Sequence, residues 1–277
     1  MSMTELPLVS ILIANFNNGR FIGEALESAV RQTYPNTEIV IIDDGSEDDS
    51  VTEIERFMNA HPEARIKLFK NSDHQGCGRV KRQCVELSEG VYFCFLDPDD
   101  TIVSEAVATL MEVFRDHPEY SIVYCTHYLC NEKLEPQSIS DYPGPIPEGK
   151  SHLTSTQGHI SALALCRRQA YDQTSGINAK YWVAEDQDLY LKMEEVAPVL
   201  FVDKPMYYYR KHDHNTSWNE DKAFNNYYWK YICEKAAYHR RRKQGLAADN
   251  FSRCEMNRKT VSFYWRLAKH RWRKVWS

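Results

Sequence analysis

The chain has 277 residues, 43% of them hydrophobic and 26% charged, with a net charge of −5 at pH 7. These values are ordinary for a globular protein with a large core, and they fit one extended α/β domain or one domain with an appendage. No apolar stretch approaches 18 residues and no basic-then-apolar leader opens the sequence, so we expect neither secretion nor a membrane-spanning helix. The eight cysteines form no C-x-x-C pair, which argues against a zinc site and favours reduced thiols that behave as small hydrophobic side chains.

Apolar runs alternate with segments of helical periodicity over the first 125 residues. We predict strands at 9–14, 38–42, 66–69, 91–96 and 121–125, and helices around 20–32, 51–58, 80–87 and 107–114. This alternation predicts right-handed βαβ units and a parallel sheet covered by helices on both faces. Neither the dinucleotide fingerprint G-x-G-x-x-G nor a P-loop follows the first strand, which argues against dehydrogenases and P-loop kinases.

The second half of the chain is less regular. Six Pro and Gly residues rule out long regular elements between 132 and 150, and loops of that length are usually functional or mobile. An apolar run at 160–166 and a short helix at 167–173 precede a helix that opens with Glu185 and Asp186. Two short strands are then predicted at 199–202 and 206–209, on either side of Lys204 and Pro205.

The apolar run 91–96 is followed at once by Asp97, Asp99 and Asp100. A run this short and apolar on both faces predicts a buried central strand. Pro98 biases Asp97 toward an extended backbone, so we expect Asp97 to end the strand and Asp99 to lie on the turn. Clustered carboxylates at the carboxyl edge of a sheet, where open α/β folds bind ligands, suit Mg²⁺ or Mn²⁺. A solvated acidic turn is the alternative interpretation of such a short motif.

Several motifs occur in a fixed order along the chain. They are Asn15-Phe16-Asn17, Gln32-Thr33-Tyr34-Pro35, Asp43-Asp44-Gly45-Ser46, Phe95-Leu96-Asp97-Pro98-Asp99-Asp100, Glu185-Asp186-Gln187-Asp188-Leu189 and Tyr208-Tyr209-Arg210-Lys211-His212. In order and rough spacing they resemble family 2 glycosyltransferases over about residues 8–217. The resemblance implies an α/β GT-A fold, a Rossmann-like, mostly parallel central sheet flanked by helices. In that fold a nucleotide half (about 1–125) adjoins an acceptor half (about 126–217), followed here by a helical C-terminal extension (218–277).

The resemblance also implies how the nucleotide and metal are held. Asp44 matches the carboxylate that accepts the uracil imide N–H, with Asn15 and Phe16 beside the base. Asp97 and Asp99 match a D-x-D pair, with Asp99 a ligand of the Mn²⁺ or Mg²⁺ that bridges the diphosphate and Asp97 near the ribose or metal. For the segment around Asp44, a helix-capping turn is the alternative, because Asp and Ser favour such positions.

Three further positions are matched in the same way. His212 matches a histidine that completes the metal site in some family members, although His214 competes for that role and a surface loop position is the alternative. Lys81 and Arg82 lie in a segment where a cation would meet phosphate, with an exposed helix face as the alternative.

Asp186 matches the catalytic base of the family, with Glu185 just before it. Direct displacement with inversion requires a carboxylate on the acceptor side to take the proton of the attacking hydroxyl. A close second carboxylate would raise the pKa of Asp186, whereas a helix N-terminus would lower it. The alternative is structural, since acidic residues are common in first helical turns.

The C-terminal region differs in charge from the rest of the chain. Residues 240–277 contain 12 Lys and Arg against 2 Asp and Glu, a net charge of +10, so residues 1–239 carry −15. Aromatic residues also occur throughout the C-terminal region, from Trp218 to Trp276. Packing against the body or a partner chain would suit this composition, and so would peripheral contact with an anionic membrane. Nucleic-acid binding has no motif behind it.

The resemblance to family 2 glycosyltransferases implies a metal-dependent inverting glycosyltransferase of the hexosyl or N-acetylhexosaminyl class. It would move a sugar from a nucleotide sugar, with UDP as the expected nucleotide, to a hydroxyl of a glycan or lipid-linked acceptor in surface polysaccharide assembly. We expect it in the cytoplasm, with the inner face of the membrane as an alternative place. One rival is a nucleotidyltransferase that makes the sugar nucleotide, for which Asn17-Asn18-Gly19-Arg20 is a poor triphosphate loop. The other is a catalytically silent module that binds UDP or a glycan.

Overall fold

The computed structural model describes residues 6–155, 159–213, 220–246, 259, 262 and 265. Within this part of the chain the strands are β1 (Val9–Asn15), β2 (Thr37–Asp43), β3 (Ile66–Lys70), β4 (Tyr92–Phe95), β5 (Thr101–Ile102), β6 (Ile122–Cys130), β7 (Pro136–Ile139), β8 (Ala164–Arg167) and β9 (Val199–Arg210). The helices are α1 (Ile22–Val30), α2 (Ser50–Ala60), α3 (Cys77–Leu87), α4 (Ala106–Asp116), α5 (Arg168–Tyr171), α6 (Glu185–Glu194) and α7 (Glu220–Lys243).

The strands form one sheet in the order β3-β2-β1-β4-β8-β6-β9-β5, with β7 paired to β6. β1 is parallel to β2 and β4, and β6 is parallel to β9. Because the short β8 is antiparallel to both β4 and β6, all of these longer strands run in one direction. The mostly parallel sheet is confirmed, and only β5, β7 and β8 depart from it among the described strands. The long strands therefore bring their carboxyl ends to one edge.

Helices cover both faces of this sheet, as the alternation of runs predicts. Along β1, Ile11 and Ile13 belong to a core that includes residues of α1, α2 and α4, whereas Leu12 belongs to a core that includes residues of α3, α5 and α6. Side chains of a strand point alternately to the two faces, so a run that is apolar at every position specifies a strand buried on both sides.

The predicted break between two strands at Lys204 and Pro205 was wrong. The strands expected at 199–202 and 206–209 are a single strand, β9, and Pro205 pairs at a point where the register with β6 shifts. A bulge of this kind tolerates proline, because the ladder there does not need its missing N–H. The segment 132–150, for which long regular elements were excluded, contains the short β7, whose four residues are all exposed. Among the described helices, none combines the length and apolar character needed to cross a bilayer.

The described part of the C-terminal extension packs on the body of the protein. Tyr231 and Tyr238 of α7 are buried in a small core with Leu191 of α6. Arg240 binds the Glu195 carboxylate through two hydrogen bonds of 2.9 and 3.0 Å. The packing interpretation is therefore right for this segment. Four aromatic residues on which the membrane interpretation also depends, Trp218, Tyr264, Trp272 and Trp276, lie outside the described residues.

Candidate active site

A cleft of about 930 Å³ opens at the carboxyl edge of the sheet. Nine of the residues that the sequence assigned to the site line it: Asn15, Phe16, Asp44, Lys81, Asp97, Asp99, Glu185, Asp186 and His212. Asp44, Asp99 and Asp186 are far apart in the chain. Asp44 follows β2, Asp99 follows β4 and Asp186 lies in the first turn of α6, and these three places meet at one edge of the sheet. The fold therefore brings into one cleft three carboxylates that the sequence assigned to separate roles.

Asp44 is almost fully buried at one end of the cleft. It accepts hydrogen bonds from the backbone N–H groups of Gln75 and Gly76, at 3.0 and 2.9 Å, and from the Asn71 amide at 2.8 Å. His74 Nδ1 lies 2.8 Å from its Oδ2. A carboxylate has about four acceptor positions, so Asp44 is fully engaged. His74 is the partner best able to leave, since its side chain is 39% exposed.

Aromatic rings line the cleft beside Asp44. Phe16 stacks on His74 with ring centroids 3.8 Å apart, and Trp182 meets the same imidazole edge-on at 5.4 Å. Gly76 has φ +93°, and a Cβ there would lie 3.1 Å from the Trp182 ring, so this approach requires glycine. The sequence reasoning missed His74 and Trp182, which lie in loops without periodicity. Only its position three residues before Glu185 could have indicated that Trp182 lies near the site.

Asp43 and Asp44 begin the same turn, but their carboxylates have different roles. Asp43 accepts the Ser46 N–H at 3.0 Å and the Ser46 hydroxyl at 2.6 Å. Asn15 donates to Asp43 at 2.8 Å, so its amide supports the turn from the end of β1. Asp43 therefore stabilises the turn but caps no helix, because α2 begins only at Ser50 with Asp49 at its N-cap. The helix-capping alternative is wrong, and Asp44 lines the cleft.

The D-x-D turn is held from below by residues outside the predicted set. Asp97 was expected to end the strand, but the regular strand ends two residues earlier, at Phe95. Asp99 lies on the turn as expected. Asp100 is buried and accepts the Tyr207 hydroxyl and the Arg210 N–H, both at 2.7 Å. The buried Arg210 guanidinium donates to the Asp99 carbonyl at 2.6 Å. Burial, and then the charges of Asp99 and Asp97, raise the pKa of Asp100 well above its usual range. This support fixes the position of Asp99.

Asp99 and His212 are suited to hold a divalent cation. Asp99 Oδ2 and His212 Nε2 are 2.9 Å apart, and both residues line the cleft. Adjacent ligands of an octahedral ion at about 2.1 Å lie about 3 Å from each other, so the pair fits Mg²⁺ or Mn²⁺. In the described part of the chain no group of three His, Cys, Asp or Glu side chains could hold a metal. The protein thus offers two ligands, the usual case where substrate phosphates and water complete the shell of Mg²⁺. His214 lies outside the described residues.

Lys81 connects the two acidic parts of the cleft. Its Nζ lies 2.8 Å from Glu185 Oε1 and 3.6 Å from Asp97 Oδ1. The side chain is 11% exposed, so the exposed-face alternative is wrong for Lys81. It holds for the neighbouring Arg82, which pairs with Glu86 along α3 at 2.8 Å. The two residues differ because α3 packs on β1 and β2, so that Lys81 points inward and Arg82, the next residue, points to solvent.

The pKa values of the carboxylate pair diverge. Burial opposes the charged form of Glu185, but the Lys81 ammonium outweighs it and lowers the pKa of Glu185. Burial, and then the charge of Glu185, raise the pKa of Asp186 to about 6, although Lys81 opposes this. Both residues open α6 after Ala184, whose φ of +61° turns the chain at the helix start. The second carboxylate and burial therefore outweigh the helix N-terminus, and Asp186 is the more basic of the pair.

The fold and the site together define a GT-A protein with an acidic cleft at the carboxyl edge of its sheet. The family model described as Glycosyl transferase family 2 matches residues 10–174, more than half of the chain, and the chain belongs to this family. The sequence-based resemblance is thereby confirmed.

Curated relatives include two polysaccharide synthases. The chondroitin synthase of Escherichia coli is 33% identical over 217 residues, which cover 78% of this chain and 31% of the relative. The hyaluronan synthase of Pasteurella multocida is 28% identical over 218 residues, 78% of this chain and 22% of the relative. The chain thus spans less than a third of the length of these relatives.

Solved structures share the fold. TarS 1-349 of S. aureus in complex with UDP-GlcNAc has a TM-score of 0.66 at 21% identity, covering 92% of this chain and 73% of that one. The mannosyltransferase PcManGT of Pyrobaculum calidifontis, in complex with GDP-Man and Mn²⁺, has a TM-score of 0.62 at 16% identity, covering 89% and 74%.

Proposed function

We propose that this chain transfers a sugar from a UDP-sugar to a hydroxyl of a glycan or lipid-linked acceptor, with inversion at the anomeric carbon and with bound Mn²⁺ or Mg²⁺. The observation that carries the proposal is the convergence of Asp44, Asp99 and Asp186 on one cleft. Residues about 1–125 would bind the donor and about 126–217 the acceptor, with 218–277 as an extension. Surface polysaccharide assembly and a cytoplasmic place, with or without membrane contact, stay predictions.

The names of the relatives support this assignment. TarS binds UDP-GlcNAc and PcManGT binds GDP-Man with Mn²⁺, so the fold accommodates nucleotide sugars and a divalent cation. Two similar sequences are named for glycan synthesis. These facts favour a glycan product for this chain as well.

In the proposed donor site Asp44 accepts the imide N–H of the base. Because Asp44 is fully engaged, the base would replace His74, whose side chain is the exposed partner. The base would then lie against the ring of Phe16, and Trp182 would remain at the entrance. Asn15 supports this site through Asp43 and does not need to touch the base.

Asp99 and His212 would hold the cation beside the diphosphate, and the cation would supply charge neutralisation to the departing UDP. Asp97 lies two residues from Asp99 and contacts Lys81. It would therefore lie between the ribose of the nucleotide and the Lys81 ammonium. Lys81 is bound to Glu185 at 2.8 Å. Lys81 could bind the phosphate only if its ion pair with Glu185 were broken. Its main effect is therefore to keep Glu185 ionised.

Asp186 would take the proton of the acceptor hydroxyl as that oxygen attacks the anomeric carbon. A base near pH 7 is most effective when its pKa lies close to the working pH, and the pKa of Asp186 is raised to about 6. Glu185 would act through Asp186, because its negative charge is one cause of the raised pKa.

A screen of UDP-sugars for metal-dependent release of UDP tests the proposal. We expect turnover with at least one donor, loss of turnover in Asp186→Asn, and unchanged UDP binding by that variant in titration calorimetry. Asp116→Asn, at the exposed end of α4, is the matched control. Near-native turnover by Asp186→Asn would exclude Asp186 as the base. Pyrophosphate release from UTP and a sugar phosphate would indicate the nucleotidyltransferase, and UDP binding without turnover would indicate the silent module.

A further inference from the structure

The acceptor side of the cleft contains a lysine that the proposed reaction does not use. Lys230 comes from α7, in the C-terminal extension and outside the residues that the family model matches. It lines the cleft together with Asp186 and Gln187. Gln187, the neighbour of the proposed base, and Lys230 also line a small adjoining cavity, which places Lys230 on the side of Asp186.

Lys230 is positioned by an aromatic ring. Its Nζ donates to the Tyr142 hydroxyl at 3.3 Å and lies 5.5 Å from the centroid of the Tyr142 ring. Tyr142 itself stacks on His159 with ring centroids 4.7 Å apart and is 38% exposed. Burial, and then the charge of Lys230, lower the pKa of His159, so the imidazole adds no positive charge at neutral pH. The lysine and its exposed tyrosine thus form a small platform, Tyr142–Lys230, on the wall of the cleft.

Within the described residues Lys230 forms no ion pair, and Glu234, one turn further along α7 and on the wall of the adjoining cavity, pairs with Lys259 at 2.9 Å. Among the residues that the structure describes, no carboxylate lies within 4.0 Å of its Nζ. Lys81, the other lysine in the same cleft, is in contact with Glu185 and Asp97. A cation that is held against a ring in an otherwise acidic cleft, and that forms no ion pair with the described carboxylates, is suited to an anionic group of a ligand.

We propose that the Tyr142–Lys230 platform is an acceptor subsite for an anionic sugar. The ring of Tyr142 would pack against a face of that sugar, and Lys230 would bind its carboxylate or phosphate group. This inference rests on the proposed function and adds the class of acceptor to it. The platform combines the loop at 132–150 with the extension, and this would give the extension a role in choosing the acceptor.

Binding of oligosaccharides to the full chain, with UDP and Mn²⁺ present, tests the subsite. Three trisaccharides differ only in the terminal sugar, which is a hexuronic acid, the matching neutral hexose, or that hexose carrying a phosphate monoester. In titration calorimetry we expect at least one acidic form to bind about tenfold tighter than the neutral form, the size of one charge-assisted hydrogen bond in a partly open cleft. Preference for the uronic acid or for the phosphate identifies which anion is recognised.

Three variants connect that preference to Lys230. Lys230→Met should abolish it, Lys230→Arg should keep it, and Lys235→Met should keep it, since Lys235 lies on the same helix over the ring of Tyr231 and does not line the cleft. Equal binding of all three trisaccharides, binding of none, or an unchanged preference in Lys230→Met would overturn the inference. Weakened UDP binding in Lys230→Met, with the acceptor preference intact, would instead assign Lys230 to the donor and also overturn it.

Failure of the subsite and failure of the proposed function give different results. UDP binding depends on Asp44 and Asp99, and acceptor-free hydrolysis of the UDP-sugar depends on Asp186 as well. Neither needs an acceptor. If these activities are present and no anionic preference is found, only the subsite is wrong. If the wild-type chain neither binds UDP nor hydrolyses any UDP-sugar, the proposed function is wrong.

Discussion

The pH dependence of sugar transfer tests the carboxylate pair. With a pKa of about 6, Asp186 is about 90% ionised at pH 7 and about 10% ionised at pH 5. The proposed base acts only when ionised, so the rate should fall about tenfold between these pH values. Glu185→Gln removes the charge that raises this pKa and releases Lys81, whose charge lowers it. Both effects have the same sign, so the acid limb should move below pH 6, toward the ordinary Asp value of about 4.

The assay is release of UDP at saturating UDP-sugar and Mn²⁺ between pH 4.5 and 8, for the wild type and Glu185→Gln. Binding of UDP with Mn²⁺, measured at the same pH values, separates protonation of the base from loss of the cation. A limb that stays at about 6 or moves upward in the variant would refute the electrostatic reasoning. A variant that binds UDP but has no activity at any pH would assign the base to Glu185 instead of Asp186.

Three further predictions concern other parts of the molecule. Asp99→Ala should weaken Mn²⁺-dependent UDP binding at least about 100-fold by calorimetry, because even partners of metal ligands are typically worth about 10–100-fold. Gly78→Ala should lower the free energy of unfolding by about 1–3 kcal/mol in urea denaturation, because a Cβ would lie 2.3 Å from the carbonyl oxygen of Tyr181. Deletion after Ala247 should reduce sedimentation with anionic vesicles, because it removes eight Lys and Arg against two acidic residues.

Each of these has its own control. UDP binding without metal should be equal in Asp99→Ala and the wild type, and equal binding with metal would remove Asp99 from the cation site. Gly23→Ala is the match for Gly78→Ala, since a Cβ at Gly23 meets nothing within 4 Å. It should raise stability by up to about 1 kcal/mol, and equal effects of the two substitutions would contradict the packing argument. Equal sedimentation of the truncated and full chains would favour packing for the whole extension.

The sequence predicted those features that depend on local pattern. The strands Val9–Asn15 and Thr37–Asp43 were predicted at 9–14 and 38–42, because apolar residues fill both faces there. Parallel strands necessarily bring their ends to one edge. Glu185 was predicted at a helix start for a similar local reason. Asp97 and Asp99 could be placed at the sheet edge because a proline separates them at the end of an apolar run.

Features that depend on a partner element could not be predicted. Pro205 continues a strand because the register of β6 shifts opposite it, and nothing local indicates that shift. Lys81 is buried because α3 packs with that face inward, although Arg82 has the same charge and lies beside it in the sequence. His74 and Lys230 reach the cleft from a loop and from the last described long helix, so only the folded chain brings them to the site.

Diffraction from crystals of the chain soaked with UDP and Mn²⁺ tests the central claim most directly. The account predicts one anomalous Mn²⁺ peak in contact with Asp99 Oδ2 and a diphosphate oxygen, with the uracil against Phe16 and bonded to Asp44 in place of His74. A nucleotide bound outside this cleft, or a Mn²⁺ that binds the diphosphate without touching Asp99, would contradict it.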